Sequence, residues 1–248
     1  MRNGFDERLA RRRIAVGCNW MSLPGLEYTM NDLVKVNLAK VFEVAYDESK
    51  ADAGRTTERL WRSFASHLRE AVRTAAEGIR HHLKYQKFNE PELLLNLLSH
   101  GPIEKGRDVS DGGAEYYNLA IDGAGLAVVA DSFAALEQRI EREGRLTWQE
   151  MDRLLDSDFQ CEEGTKYRTL LGRSQRYGQA DSLGRKWALA VRDEFTAAVR
   201  GETSADGRYK FIPGFFSWAN TVGFGLHVGA TPNLSLIHIS EPTRLGMI

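Results

Sequence analysis

Alternating strand-like and helical segments predict an α/β fold for this 248-residue chain. The longest helical pattern runs from about Thr57 to Lys87, where apolar residues recur every three or four positions along one face. Strand-like stretches lie before and after it, at Arg13–Gly17, Tyr116–Ile121 and Tyr209–Trp218. Strands that are separated by helices of this length are typical of α/β architectures.

The N-terminal segment is predicted as a strand, a loop and a helix. The run Arg13–Gly17 reads as a short buried strand. A Pro-Gly pair is a strong turn signal, and it predicts a loop over Asn19–Thr29. Asn31 or Asp32 would then cap the next helix. The apolar residues of that helix would be Val34, Leu38, Val41, Phe42 and Ala45.

Helical spacing and capping residues predict further helices along the rest of the chain. They cover about Glu92–Leu98, Gly125–Glu143 and Asp181–Arg200. Thr147 and Glu150 have the spacing of a capping box, in which each side chain binds a free backbone amide of the other residue. This pattern predicts one more helix, beginning just after Thr147.

A glycine-rich loop precedes the strand-like stretch Tyr116–Ile121 and contains two acid–base pairs, Glu104–Lys105 and Arg107–Asp108. Such pairs are usually solvated and are worth less than about 1 kcal/mol. In a loop with so many glycines they could instead fix the loop against its neighbours. The sequence alone leaves both interpretations open.

The segment Gly123-Ala-Gly125 has the look of a dinucleotide-binding turn, because it lies between a strand and a helix. Val128 stands at the third glycine position of that fingerprint, and no strand with a terminal acid follows about 20 residues later. We therefore favour a tight contact between helix and strand at these glycines over cofactor binding.

Composition and charge indicate an ordinary globular domain. The chain is 42% hydrophobic and 27% charged, with 33 basic and 34 acidic residues. The dense basic run of Arg8 and Arg11–Arg13 is interpreted as a solvated face rather than a nucleic-acid site. No apolar run approaches the roughly 20 residues that span a bilayer, and no signal-peptide pattern opens the chain. We therefore expect no nucleic-acid partner and no membrane span.

Cys18 is the candidate reactive residue. It follows Gly17 at the end of a predicted strand, a place where folds often present functional groups. As a nucleophile it would need a base, which His100 or His227 could supply. Cys161 lies in a charged stretch and is interpreted as a bystander. Two isolated cysteines exclude a disulfide framework and a CxxC metal site, so we predict no metal and a cytoplasmic location.

The last residues are predicted to be a non-native tail. Leu234–Arg244 matches, residue for residue, a translated transposase adaptor that is used in preparing sequencing libraries. We therefore expect residues 1–233 to be the protein domain and residues 234–248 to be adaptor-derived. We also expect the chain to be a fragment of a longer protein, truncated at both ends.

Several motifs occur in a fixed order along the chain. The most specific is the stretch Ser99–Glu137, in which the glycine-rich loop leads through Tyr116-Tyr117 into a strongly periodic helix. The others are Val16-Gly-Cys18, Pro24-Gly25, Asn37–Lys40, Arg176–Gly178, Asp181-Ser182, Gly214–Ser217 and Gly229–Pro232. Taken together, residues 13–233 resemble the glycyl radical enzymes, the pyruvate formate-lyase-like family.

The resemblance implies a fold and a radical chemistry. It implies that residues 1–233 are an incomplete part of a ten-stranded β/α barrel, with Cys18 matching the reactive cysteine on a loop inside it. In the family, a glycyl radical is installed by a separate S-adenosylmethionine-dependent activating enzyme and oxidises this cysteine to a thiyl radical. The thiyl radical then abstracts hydrogen from a small-molecule substrate. The resemblance also implies anaerobic metabolism, no directly bound cofactor and a homodimer when the protein is full length.

Two departures from the family pattern bear on the substrate. Family dehydratases and related lyases carry a general-base Glu two residues after the cysteine, whereas this chain has Trp20. Pyruvate formate-lyase carries two adjacent cysteines, and Gly17 stands in the place of the first. The Asn19-Trp20 pair indicates either a branch of the family with a more apolar pocket or a base that is supplied from elsewhere. Asn31 and Lys35, predicted to lie one helical turn apart, are candidates to contact the substrate together with Trp20.

The expected activity is cleavage of a C–C or C–heteroatom bond in a small organic substrate, in the manner of a lyase or dehydratase, through a thiyl radical on Cys18. The family's glycyl loop, usually Arg-Val-x-Gly-Tyr, lies downstream of the motif at Gly229–Pro232, so we expect the chain as given to be inactive. The alternatives are formate C-acetyltransferase activity and a non-catalytic α/β module.

Overall fold

The fold is that of a computed structural model, which describes residues 6–16, 20–202, 209–215 and 221–234. Of residues 31, 32 and 221 it describes only the backbone. Helices and strands alternate along these residues, which confirms the predicted α/β class. A closed ten-stranded barrel is not present within the described ranges, which contain a two-stranded and a three-stranded sheet.

The described residues contain five strands, ten α-helices and two further helical segments. The strands are β1 (Ile14–Val16), β2 (Trp20–Ser22), β3 (Glu27–Asn37), β4 (Tyr116–Ala124) and β5 (Tyr209–Phe215). The helices are α1 (Glu7–Arg11), α2 (Leu38–Ser49), α3 (Thr57–Asn89), α4 (Leu93–Leu98), α5 (Pro102–Lys105), α6 (Leu126–Leu136), α7 (Trp148–Asp156), α8 (Gly164–Gly172), α9 (Leu183–Gly201) and α10 (Thr221–Gly225). A 3-10 turn covers Val109–Asp111, and a π-helical segment covers Glu137–Arg142.

Two sheets organise the strands. β1 and β2 pair antiparallel, with Val16 opposite Trp20 and Ile14 opposite Ser22. The second sheet has the order β3-β4-β5, so β4 is its central strand. Most of β4 is buried, as expected for a central strand.

Three predictions for the N-terminal segment are wrong. The strand at Ile14–Val16 exists, but it is largely exposed rather than buried, with Ile14 49% exposed. Residues 20–37, predicted as loop and helix, form β2 and β3 instead. Aromatic and β-branched residues favour a pleated strand there. The helix begins at Leu38, and its cap is Asn37, whose side chain accepts the Lys40 N–H at 3.2 Å, rather than Asn31 or Asp32.

The long helix α3 confirms the prediction from apolar spacing. It spans Thr57–Asn89, and its apolar stripe is buried while the opposite side is solvated. The buried residues of the stripe are Leu60, Phe64, Leu68, Val72, Ala76, Ile79 and Leu83. Among the described residues, no helix is both long enough and apolar enough to cross a bilayer.

The chain divides into two compact units. Unit 1 contains residues 1–35, 72–122 and 199–214, and unit 2 contains residues 36–71, 123–198 and 215–248. The core of unit 2 is an aromatic cluster centred on Phe133, whose ring lies 5.1 Å from that of Phe42 and 4.7 Å from that of Trp187. Such ring pairs add about 0.5–1.5 kcal/mol each to the burial of their surface.

In unit 1, Tyr117 of β4 fastens the glycine-rich loop. Its hydroxyl donates to the carbonyl of Val109 at 2.6 Å and accepts the N–H groups of Gly112 and Ala114. Lys105 adds a bond to the carbonyl of Gly113. One buried side chain therefore satisfies several backbone groups that the loop cannot pair internally.

Asp108 closes the other side of the same loop. Its carboxylate accepts the backbone N–H of Glu92 and the side-chain amide of Asn96. Although burial opposes it, the hydrogen bonds from Ser110 and Asn96 lower the pKa of Asp108. Of the two interpretations of the charged residues in this loop, the structure supports the one in which Lys105 and Asp108 fix the loop.

The C-terminal helices follow the predictions with one difference. Thr147 and Glu150 form the predicted capping box at the start of α7. The helix that begins after Gly125 was predicted to continue to Glu143, but α6 ends at Leu136 and the chain continues as a π-helix. There the buried Glu137 accepts hydrogen bonds from Lys186 and Trp187.

Two helical glycines give a matched test of this packing. A methyl group at Gly78 would meet no atom within 4 Å, whereas one at Gly184 would overlap the backbone of Arg176 and Tyr177. We expect Gly78→Ala to raise the free energy of unfolding by about 0.5–1 kcal/mol, because alanine favours the helix. Gly184→Ala should lower it by about 1–3 kcal/mol through overpacking. Equilibrium denaturation measures both, and a stabilising Gly184→Ala would contradict the packing at α9.

Candidate functional site

The predicted reactive cysteine lies, in sequence, between the two strands of the β1–β2 hairpin. Val16 and Trp20 are paired across the two strands, and Gly17, Cys18 and Asn19 connect them. These three residues lie outside the described residues, so the site is built from the side chains around them. All of the side chains that flank the hairpin in the next paragraphs belong to unit 1.

Glu27 fastens the hairpin to the start of β3. Its side chain is fully buried and accepts the backbone N–H of Leu23 at 3.0 Å and the hydroxyl of Thr29 at 2.9 Å. The guanidinium of Arg13, just before β1, lies 3.7 Å from the same carboxylate. Thr29 also bonds to Ser22 of β2 at 3.1 Å. This network ties both strands of the hairpin to one buried charge.

Trp20, Gly214 and Asp122 meet beside the hairpin. A methyl group at Gly214 of β5 would overlap Oδ1 of Asp122 and would lie 3.0 Å from Cζ2 of Trp20. The absence of a side chain at Gly214 therefore allows the indole ring and the carboxyl group to approach the same point of the backbone. Asp122 lies near the C-terminal end of β4 and has no exposed surface. A buried acid is thus held next to a residue two positions after Cys18.

The indole N–H of Trp20 belongs to the same packed group. Nε1 is buried and has no hydrogen-bond acceptor in the described part of the chain. It lies two bonds from Cζ2, the atom that packs against Gly214. A buried indole ring and a buried carboxyl group therefore pack against the same backbone position.

The other residues that the sequence predicted for the site lie on several different elements of the structure. Asn31 and Lys35 are on β3 rather than on a helix, and their backbones lie about 13 Å apart along the strand. His100 is exposed, and its backbone N–H donates to the carbonyl of Gly25. His227 is exposed in unit 2, and Cys161 is an exposed free thiol.

The glycines at 123 and 125 serve packing, as predicted. A methyl group at Gly123 would lie 3.1 Å from the side chains of Leu38 and Phe215, and Gly125 has a φ of 93° at the start of α6. The first is a close contact and the second is a left-handed conformation that favours glycine. Within the described ranges, no group of three or more His, Cys, Asp or Glu side chains is arranged to hold a metal ion.

Asp122 is a buried acid beside Trp20 that sequence reasoning did not single out. Its signal was present, because a lone acid stands among apolar residues in the strand that precedes Gly123. A charged residue in a central strand is rare unless it is paired or functional. The distance in sequence between Asp122 and Trp20 concealed their proximity, which requires both the hairpin and the position of β5.

The matched family model, described as pyruvate formate lyase-like, covers residues 1–225. The chain belongs to the pyruvate formate lyase-like family. This confirms the resemblance drawn from the motifs. A curated relative, (2S)-3-sulfopropanediol dehydratase of Klebsiella oxytoca, is 22% identical over 245 residues. The match includes 93% of this chain, which spans only 30% of the relative's length.

Solved structures of family members have the same fold over this segment. A glycyl radical enzyme from Archaeoglobus fulgidus matches with a TM-score of 0.82 and 25% identity, over 92% of this chain and 30% of its own. The glycerol-bound form of the B12-independent glycerol dehydratase from Clostridium butyricum matches with a TM-score of 0.81 and 22% identity. This match covers 93% of the present chain and 30% of the dehydratase chain.

Gly214→Ala tests the packing of Trp20 and Asp122. Because the added methyl group overlaps the carboxyl group, we expect a loss of about 1–3 kcal/mol in the free energy of unfolding. Equilibrium denaturation measures the loss, and Gly78→Ala is the control for a glycine with open surroundings. A Gly214→Ala protein as stable as the parent would show that the two side chains do not meet at this glycine.

Glu27→Gln tests the network that holds the hairpin. The new amide group would face the donors of Leu23 and Thr29, so we expect a loss of about 1–3 kcal/mol. The matched control is Glu58→Gln, because Glu58 is 64% exposed and its partner Arg62 lies 3.5 Å away. The control should change the free energy of unfolding by less than about 0.5 kcal/mol. Equal effects of the two substitutions in chemical denaturation would argue against the network.

Proposed function

We propose that this chain is the cysteine-bearing segment of a glycyl radical dehydratase, a lyase that removes water from a small hydroxylated molecule. The single observation that carries the proposal is the hairpin that bears Cys18, packed beside a buried acid in a chain of the pyruvate formate lyase-like family. The sulfopropanediol and glycerol dehydratases among the similar proteins support a dehydration reaction.

Cys18 would carry the radical. A glycyl radical, installed elsewhere in the longer polypeptide by an S-adenosylmethionine-dependent activating enzyme, would supply the oxidising equivalent for a thiyl radical on Cys18. A sulfur radical suits this role because S–H bonds are similar in strength to activated C–H bonds, so that hydrogen transfer is reversible. We propose that the complete protein forms the ten-stranded barrel, which excludes water and side reactions from the radical, and that it assembles as a homodimer.

Three further residues are proposed to line the substrate site. Trp20 follows Cys18 closely in the hairpin and would form an apolar wall with an N–H donor. Asn31 and Lys35 lie on β3 and would supply polar contacts to the substrate. Acetyl transfer is disfavoured because Gly17 stands where pyruvate formate-lyase has a second cysteine.

Because the chain spans about 30% of the length of its relatives, the proposed activity is that of the longer polypeptide. We do not expect the 248 residues by themselves to turn over a substrate. The residues after 233 are proposed to be adaptor-derived and to take no part in the reaction.

Cys18→Ala in the activated full-length protein tests the proposal. Turnover of a diol such as glycerol should fall below detection, because Cys18 is proposed to be the residue that takes the hydrogen atom from the substrate. The glycyl radical, measured by electron paramagnetic resonance, should persist. Cys161→Ala is the matched control and should retain activity, because Cys161 is exposed and distant in sequence. Turnover that survives Cys18→Ala would remove the thiyl mechanism, and a wild type without radical or turnover would favour a non-catalytic module.

A further inference from the structure

We infer that the outward side of helix α4 is an interface, which a part of the longer polypeptide outside these 248 residues covers in the complete protein. We call this surface the leucine face, and it consists of Leu93, Leu94, Leu97 and Leu98. The inference goes beyond the proposed function, because it requires neither Cys18 nor turnover of a substrate.

The leucine face is an apolar surface on one side of α4. Its four residues occupy positions i, i+1, i+4 and i+5 of the helix, which point to the same side. Each of them is 68–70% exposed. Ile103 on α5, which contacts α4, and Phe88 near the end of α3 are 66% and 73% exposed. Single exposed leucines are common on protein surfaces, but a contiguous apolar group marks an interaction site.

The polar residues of this segment face the protein instead. The side-chain amide of Asn96 donates to Asp108 at 2.7 Å, and its oxygen accepts the backbone N–H of Val109 at 2.7 Å. Glu92, the residue before α4, accepts the hydroxyl of Tyr28 at 3.1 Å. A helix on the surface of a globular protein has the opposite arrangement, with its apolar residues inward. The orientation of α4 is therefore that of a helix between two layers of protein.

These hydrogen bonds hold the leucine face in a fixed orientation. Asp108 accepts the backbone N–H of Glu92 as well as the amide of Asn96, so α4 is tied to the glycine-rich loop. Tyr117 fastens that loop in turn. An apolar surface that is already ordered loses little conformational entropy when a partner packs against it, which favours tight association.

The charges around the leucine face argue against a lipid surface as its partner. From residue 88 to residue 104 the sequence contains Glu90, Glu92 and Glu104 and no Lys or Arg. Helices that lie on membranes carry basic residues, which anionic lipid headgroups attract. An apolar surface of this kind, without charges of its own, is typical of permanent contacts between proteins or protein segments.

The size of the leucine face favours a covalently linked partner over a second copy of the chain. The helix has six residues and is about 9 Å long. Each partner of a stable complex buries about 800 Å², which is far more than one such helix presents. A segment of the same polypeptide needs less area, because the covalent link gives it a high effective concentration. Most of each relative lies outside the matched part, since the chain spans only 30% of its length.

Thiol labelling of Leu97→Cys in the full-length protein tests the inference. The probe is iodoacetamide, and mass spectrometry measures the labelling rate of the new thiol in the folded protein and in urea. We expect the folded protein to react at least about tenfold more slowly, because a covered side chain is reached only through local opening. The protection should survive an about 100-fold dilution of the protein, because a contact within one polypeptide does not depend on concentration.

Further samples control this measurement. Leu94→Cys probes a second position of the leucine face and should also be protected at least about tenfold. Glu77→Cys lies on the exposed side of α3 and should react within about threefold of its rate in urea. Hydroxyl-radical oxidation of the leucines in the unmodified protein gives the same information without a substitution. Circular dichroism verifies that each variant is folded.

Three results would overturn the inference. Labelling of Leu97→Cys at the rate seen in urea would mean that the leucine face is open to solvent in the complete protein. Protection that disappears on dilution, as a dimer dissociates in size-exclusion chromatography, would assign the face to a second copy. Equal protection of Leu97→Cys and Glu77→Cys would show that the leucine face has no cover of its own. The measurement needs no radical, so its failure is distinct from a failure of the proposed function.

Discussion

The close approach of Trp20 and Asp122 at Gly214 is the constraint on which the candidate site depends. It brings together three elements that are far apart in sequence, namely the hairpin of Cys18, the central strand β4 and the strand β5. Asp122 has no exposed surface, and acids are rare at buried positions of a central strand unless they are paired or functional. The remaining features of unit 1 can be understood as ways of holding these elements in register.

The glycine-rich loop illustrates this support. Its glycines cannot pack or hold a conformation by themselves, so Tyr117 and Asp108 supply the hydrogen bonds that fix it. Tyr117 lies on the same strand as Asp122, so the loop and the buried acid share one rigid element. A functional group on a strand that is anchored in this manner is positioned more accurately than one on a free loop.

Much of the fold could be predicted from the sequence, because apolar residues at intervals of three or four positions identify long helices. Helix α3, the capping box at Thr147 and the strand that begins at Tyr116 were all predicted correctly. The segment 20–37 was not, because the Pro-Gly turn signal was extended into a long loop and the apolar spacing of helix α2 was extended back to Val34. Its aromatic and β-branched residues favour the strands that form instead. Of the candidate site, the sequence predicted Cys18 and Trp20. The proximity of Asp122 to Trp20 could be seen only in the structure, because it depends on the positions of the hairpin and β5.

The central claim is that Cys18 faces the substrate in the longer polypeptide. A crystal structure of the full-length protein with a bound diol tests it most directly. The account predicts the sulfur of Cys18 in van der Waals contact with a carbon that bears a hydroxyl group. A diol bound away from Cys18 would contradict it.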